Sequence, residues 1–133
     1  MEIIKRPENV SDVNIMSPLT WAYIGDSVYE LYIRMHLASS TKSKPHRLHM
    51  ESIKYVKAKA QAEILKIIEE KLTEPEKEIV KRGRNSENHH LPKNATVQEY
   101  MYSTGLEALI GYLYLTKQDQ RLREILEICI NKE

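Results

Sequence analysis

Apolar residues recur along the chain at spacings of three and four rather than two, with few β-branched alternations, which predicts helices and no sheet. Ser17-Pro18 supplies a capping residue followed by a proline at the first helical position, so a long helix is expected from 18 to about Ala38. Residues 1–16 before it are expected to form a loosely structured or short helical arm. The run from Ser39 to His46 offers turn formers and nothing to bury, and a second long helix is expected over about 47–71. Thr73 as cap, Pro75 and acids in the first turn open a short helix to about Arg82, with Gly83 ending it. From Arg84 to Ala95 there is no apolar period. Thr96 and Glu99 then have the spacing of a capping box for a helix reaching about Leu115, and Leu122, Ile125, Leu126 and Ile130 mark a last amphipathic helix over about 119–131. No repeat or internal boundary is visible, so residues 1–133 read as one all-α domain.

Two of these helices carry a carboxylate where apolar residues dominate. In 18–38, Ile24, Val28, Leu31 and Met35 form one stripe, Ala22, Tyr29 and Ile33 fall roughly opposite, and Asp26 lies among the second set. A carboxylate there is costly unless a cation, a metal or hydrogen bonds satisfy it; local capping beside Gly25 is the plainer reading. In the helix after Thr96, Leu106, Leu109, Ile110 and Leu113 make the stripe, and Glu107 sits next to it among Ser103, Thr104 and Gly111, whose small side chains leave room for an approaching group. Alone, Glu107 reads as a solvated surface glutamate. If the two helices pack together, Asp26 and Glu107 could share a divalent cation. Magnesium suits such a pair, because waters and substrate phosphates complete its octahedron around one or two protein carboxylates.

Composition narrows the partner classes. With 20 Lys+Arg against 19 Asp+Glu the net charge is +1, so no overall basic character advertises nucleic acid. Locally the balance differs: net +6 from Arg34 to Lys59, net −3 from 60 to 78, and net +3 from 79 to 94. The basic stretches could hold a phosphate backbone through Lys54, Lys57 and Lys59 and through Arg82, Arg84, Asn85 and Lys93, the latter in a segment that Gly83 makes pliable. Solvated helix surface explains 34–59 equally well. His46, His49, His89 and His90 lack the Cys or carboxylate spacing of a zinc site. A glycine-rich phosphate loop, G-x-S-x-G and Cys-x-x-Cys are all missing. The single cysteine, Cys129, forms no internal disulfide, and no signal-like start or long apolar run occurs, which predicts a cytoplasmic protein without a membrane span.

Tyr23-Ile24-Gly25-Asp26-Ser27-Val28-Tyr29-Glu30-Leu31 resembles the L-G-D-[AS]-V-L-E core of the ribonuclease III family, and Leu106-Glu107-Ala108-Leu109-Ile110-Gly111 resembles its F-E-A-L-I-G-A motif. Their order, their separation of 81 positions, the helical pattern and the lack of a double-stranded-RNA-binding domain after residue 133 are similar to the short subfamily of that family, as is Arg82-Gly83-Arg84-Asn85. The resemblance spans about 17–131. It implies a homodimeric, Mg2+-dependent endonuclease of double-stranded RNA, with Asp26 and Glu107 as catalytic metal ligands and a break that leaves a 5′-phosphate and a 3′-hydroxyl. It also implies maturation of the ends of large-subunit ribosomal RNA precursors. In the full-length family, glutamates precede the aspartate by seven and four positions and an aspartate precedes the second glutamate by three; this chain has Leu19, Ala22 and Thr104 there. Glu30, one turn beyond Asp26, and Thr104 are outer candidates. Without an appended RNA-binding domain, the choice of RNA is expected to depend on local distortion or on a ribosomal protein bound to the substrate. Trp21, Tyr23, Tyr29 and Tyr32, more aromatic surface than one small core readily hides, also predict a dimer. The competing class is a non-catalytic RNA-binding or scaffold domain of the same fold; a helical phosphohydrolase would need a His-Asp constellation that the sequence lacks.

Overall fold

Side-chain caps set three of the helix starts. The computed structural model describes residues 3–40, 42–86 and 95–131, which form seven α-helices: α1 (Val10–Asn14), α2 (Pro18–Ser40), α3 (Pro45–Val56), α4 (Ala58–Ile68), α5 (Glu74–Arg84), α6 (Val97–Leu115) and α7 (Asp119–Ile130). A 3₁₀ turn, Glu69–Lys71, joins α4 to α5, and no strand occurs among the described residues. At the start of α2 the Leu19 N–H donates to Ser17 Oγ at 3.2 Å. The capping box expected at Thr96 and Glu99 forms, and Thr73, expected as a cap, makes a second one with Glu76, each side chain accepting from the other residue's N–H. The N-terminal arm takes the helical alternative as α1 and is strapped down. Arg6 pairs with Asp119 and lies 4.8 Å over the Tyr114 ring, the Tyr112 hydroxyl donates to Asn14 Oδ1 (2.6 Å), and Trp21 Nε1 donates to the Val13 carbonyl (2.9 Å).

The single helix expected over 47–71 is two. Lys57 is extended (φ −67°, ψ 151°), ending α3 and starting α4. Two carbonyls at the break are taken by side chains, that of Tyr55 by the Tyr29 hydroxyl (2.8 Å) and that of Val56 by the Gln61 amide (3.1 Å). No proline or glycine occurs between 47 and 71, so the break has no local sequence signal. Gly83 does not end α5 either. The helix continues to Arg84, and Gly83 is buried where a methyl would run into the Ala108 side chain, so this glycine serves a close approach of α5 to α6.

The middle of the molecule is α6. Its residues Ser103 to Leu106, Ala108 to Gly111, Leu113 and Leu115 are buried, with α2, α4, α5 and α7 packed around them. Against α2 the approach is closest: a side chain at Gly25 would collide with the Glu107 carbonyl, and one at Gly111 with the Trp21 carbonyl. Asp26 follows Gly25 and Glu107 precedes Gly111 by one turn, so the crossing that needs both glycines also brings the two carboxylates together. On α2 the buried residues are Trp21, Ala22, Gly25, Tyr29, Ile33 and Leu37. Leu31 and Met35 stay exposed at 59% and 58%, while Ile24 and Val28 are half-buried. Trp21 and Tyr29 are wholly inside this chain's own core, so the aromatic surplus expected to drive a dimer is smaller than the sequence suggests. Among the described residues no helix is long and apolar enough to cross a membrane.

Candidate active site

A cleft of about 220 Å³ opens where α2 crosses α6, lined by Leu19, Ala22, Tyr23, Asp26, Tyr100, Thr104 and Glu107. Helical periodicity assembles it: 19, 22, 23 and 26 share one side of α2, and 100, 104 and 107 one side of α6. The two carboxylates differ in setting. Asp26 is exposed at the rim, contrary to the expectation of a carboxylate among apolar neighbours, and Glu107 is half-buried. Burial pushes the Glu107 carboxyl well above its usual range; the hydrogen-bonded, like-charged Asp26 adds to this, the Gln61 amide opposes it, and Glu30 adds a little more.

A carboxyl pair this close is satisfied by a shared proton or by a cation. The donor set is two carboxylates, hard oxygen ligands facing an open cleft, which fits magnesium with water and phosphate filling the other positions. Among the described residues no three or more His, Cys, Asp or Glu gather around one point, so Asp26 and Glu107 are the ligands this cleft offers. Glu30 is held by Arg34 at 2.8 Å, beside the site rather than in its lining. Thr104 lines the cleft, but its hydroxyl donates to the Tyr100 carbonyl at 3.0 Å.

Gln61 and Tyr100 are the residues that sequence reasoning missed. Gln61 is 2% exposed, donates to the Val56 carbonyl and hydrogen-bonds Glu107 from behind. Its signal was an amide among Ala60, Ala62, Ile64 and Leu65. Tyr100 falls two turns before Glu107 on the same face of α6; burial raises its phenol, with the Glu107 charge contributing.

The basic candidates among the described residues do not line this cleft. Arg82 is exposed with its guanidinium 4.9 Å over the Trp21 ring, Arg84 stacks 5.4 Å over Tyr102, and Asn85 is the C-cap of α5. Lys57 and Lys59 are exposed around the α3–α4 break, and Lys54 pairs with Glu51 at 3.1 Å. Lys93, with His89 and His90, lies outside the described residues. His46 and His49 are exposed on α3.

Comparison with known proteins gives this geometry a family. The ribonuclease III domain matches residues 19–118. A protein of a Thermoanaerobacter species named Mini-ribonuclease 3 is 51% identical over 115 residues, covering 86% of this chain and 81% of that protein. Proteins of the same name are 47% identical in Streptococcus pneumoniae (91% and 96% covered) and 45% identical in Staphylococcus aureus (89% and 90% covered). A crystal structure of a Fusobacterium nucleatum protein superposes with a TM-score of 0.82 at 35% identity, covering 91% of this chain and 97% of that one. These matches enclose both motifs and the cleft between them, and the chain belongs to the ribonuclease III family, as a ribonuclease on its Mini-ribonuclease 3 branch.

Proposed function

We propose that this chain is a Mg2+-dependent endoribonuclease that cuts double-stranded RNA, leaves 5′-phosphate ends and matures the ends of large-subunit ribosomal RNA precursors in the cytoplasm. The observation that carries the reading is the paired carboxylates, Asp26 from α2 and Glu107 from α6, facing one open cleft. Bound there, magnesium would lower the pKa of a coordinated water toward neutrality and offset charge developing on the phosphate. Asp26 and Glu107 would grip it from two helices, and Gln61 would hold the Glu107 carboxyl in place from behind. The direct test is incubation with duplex RNA and with a structured ribosomal RNA precursor, with Mg2+ or with EDTA. Mg2+-dependent cutting of duplex but not single-stranded RNA is expected. Binding without cutting would favour the non-catalytic RNA-binding alternative, which Leu19, Ala22 and Thr104 support by adding no carboxylate to the cleft.

Paired cuts across a duplex need two sites, which a two-fold dimer supplies. Leu31 and Met35, with half-buried Ile24 and Val28 in the same stripe and exposed Tyr23 beside it, form the apolar α2 surface that would meet its mate. Light scattering should report twice the 15.6 kDa chain mass. Leu31→Glu with Met35→Glu should shift the protein to monomer and remove paired cutting, and a fully active wild-type monomer would refute the arrangement.

RNA grip is assigned to Arg82, Arg84 and Asn85 at the end of α5, with Lys93 beyond it and Lys54, Lys57 and Lys59 on α3–α4; a ribosomal protein on the substrate would add selectivity. Changing Arg82 and Arg84 together to Ala should weaken binding of uncleavable duplex and reduce its salt slope by up to about two. Because both guanidinium groups also stack on aromatic rings, the melting temperature measured alongside separates lost grip from lost packing. An unchanged slope would move the contact to the lysines.

A further inference from the structure

We propose that Tyr100 is a further catalytic residue, its phenol donating a hydrogen bond to a non-bridging oxygen of the phosphate being cut. This rests on the cleft being the nuclease site. Of the seven described residues lining the cleft, none is a cation and three carry hydroxyls: Tyr23, Tyr100 and Thr104. A phosphate entering it meets Asp26 and Glu107, and during hydrolysis water adds to phosphorus while the bond to the 3′-oxygen breaks, loading charge onto the non-bridging oxygens. A donor fixed on the wall beside the carboxylates stabilises that charge without reorganising.

The three hydroxyls are not equivalent. Thr104 donates to the Tyr100 carbonyl at 3.0 Å, which commits its proton within α6. Tyr23 is 77% exposed, so water competes for its hydroxyl at the rim. Tyr100 is half-buried on the cleft wall, two turns before Glu107 on the same face of α6. A phenol in a cleft wall turns its O–H by rotation alone, and partial exclusion of water strengthens the bond it gives.

Tyr100→Phe keeps the ring and removes the donor. Its kcat on duplex RNA should fall by about 10–100-fold, while KM, the affinity for Mn2+ titrated in the absence of RNA and the melting temperature stay at wild-type values. A second readout places the contact. Sulfur replacing one non-bridging oxygen at the cut is a poorer acceptor, so one phosphorothioate diastereomer should slow the wild type and slow Tyr100→Phe at least fivefold less, as interacting partners do in a double-mutant cycle. A Tyr100→Phe enzyme within twofold of wild-type kcat, or sulfur penalties that multiply independently for both diastereomers, would overturn the assignment. So would a kcat loss accompanied by equal losses of Mn2+ affinity and melting temperature, which marks a structural ring. If wild-type protein leaves duplex RNA intact in Mg2+, the nuclease reading itself falls; an active wild type with an unaffected Tyr100→Phe variant sinks only the role of Tyr100.

Discussion

Glu107→Gln should abolish RNA cutting, by at least about a thousandfold, and should at the same time raise the melting temperature of the metal-free protein at neutral pH. Both effects come from one carboxyl. The amide keeps the volume and hydrogen-bonding reach of the side chain beside Asp26 and Gln61 but removes a charge that a divalent cation needs. In the metal-free fold, burial and Asp26 hold the Glu107 carboxyl above its unfolded value. Between those two values the folded chain keeps a proton that the unfolded chain has released, so stability falls as pH rises through that window. Glutamine has no proton to lose. In EDTA, the variant's advantage in melting temperature should therefore be small in mild acid and grow toward neutrality. Glu76 works in the opposite sense: its burial is overcome by hydrogen bonds from Arg121 and Thr73, and its carboxyl lies below the usual range. The difference between variant and wild type is thus the quantity to follow, because Glu76 is common to both. Mg2+ should stabilise the wild type, more strongly as pH rises, and leave Glu107→Gln nearly unmoved. Near-normal turnover in the variant would remove Glu107 from the catalytic centre, and a lower melting temperature at neutral pH would contradict its burial.

The parts of this protein legible in its sequence are those decided within a few residues. Ser17-Pro18, Thr73 with Glu76, and Thr96 with Glu99 place helix starts correctly because a cap is a local hydrogen bond. The motif pair at Asp26 and Glu107 named both carboxylates of the cleft. What eluded sequence reading is decided by partners distant in the chain. Lys57 can break the helix because Tyr29, from α2, satisfies the Tyr55 carbonyl. A helical wheel put Asp26 on a face with Ala22 and Tyr29 but could not show that α6 leaves that edge open to solvent. Gly83 looks the same in sequence whether it caps a helix or receives Ala108. The spacing of Tyr100, Thr104 and Glu107 was visible, yet it became a cleft wall only once Gly25 and Gly111 had brought α2 against it.

That contact carries the largest stability prediction. Gly25→Ala and Gly111→Ala should each destabilise the fold by about 3 kcal/mol or more, beyond the usual range of core overpacking because the collision is with backbone. At Gly25 a new methyl meets the carbonyl of Glu107 and the amide of Gly111; at Gly111 it meets the carbonyl of Trp21 and the amide of Gly25. None of these atoms can rotate away as a side chain would, so α2 and α6 must separate and open the core formed by Trp21, Tyr29, Leu106 and Ile110. The better helix propensity of alanine returns only about 1 kcal/mol. Gly105→Ala is the control. Its new methyl would lie 3.0 Å from the Val80 carbonyl and 3.2 Å from a Val80 methyl, crowding that a small shift relieves, so propensity and strain should nearly cancel. Urea unfolding of the three variants should rank Gly25→Ala and Gly111→Ala far below Gly105→Ala, which stays near wild type. Even where Gly25→Ala remains helical, the wider crossing draws Asp26 from Glu107, so Mg2+ binding should weaken before helical content is lost. A Gly25→Ala protein with wild-type urea midpoint and Mg2+ affinity would mean that the two backbones do not touch there, and the cleft would need another origin.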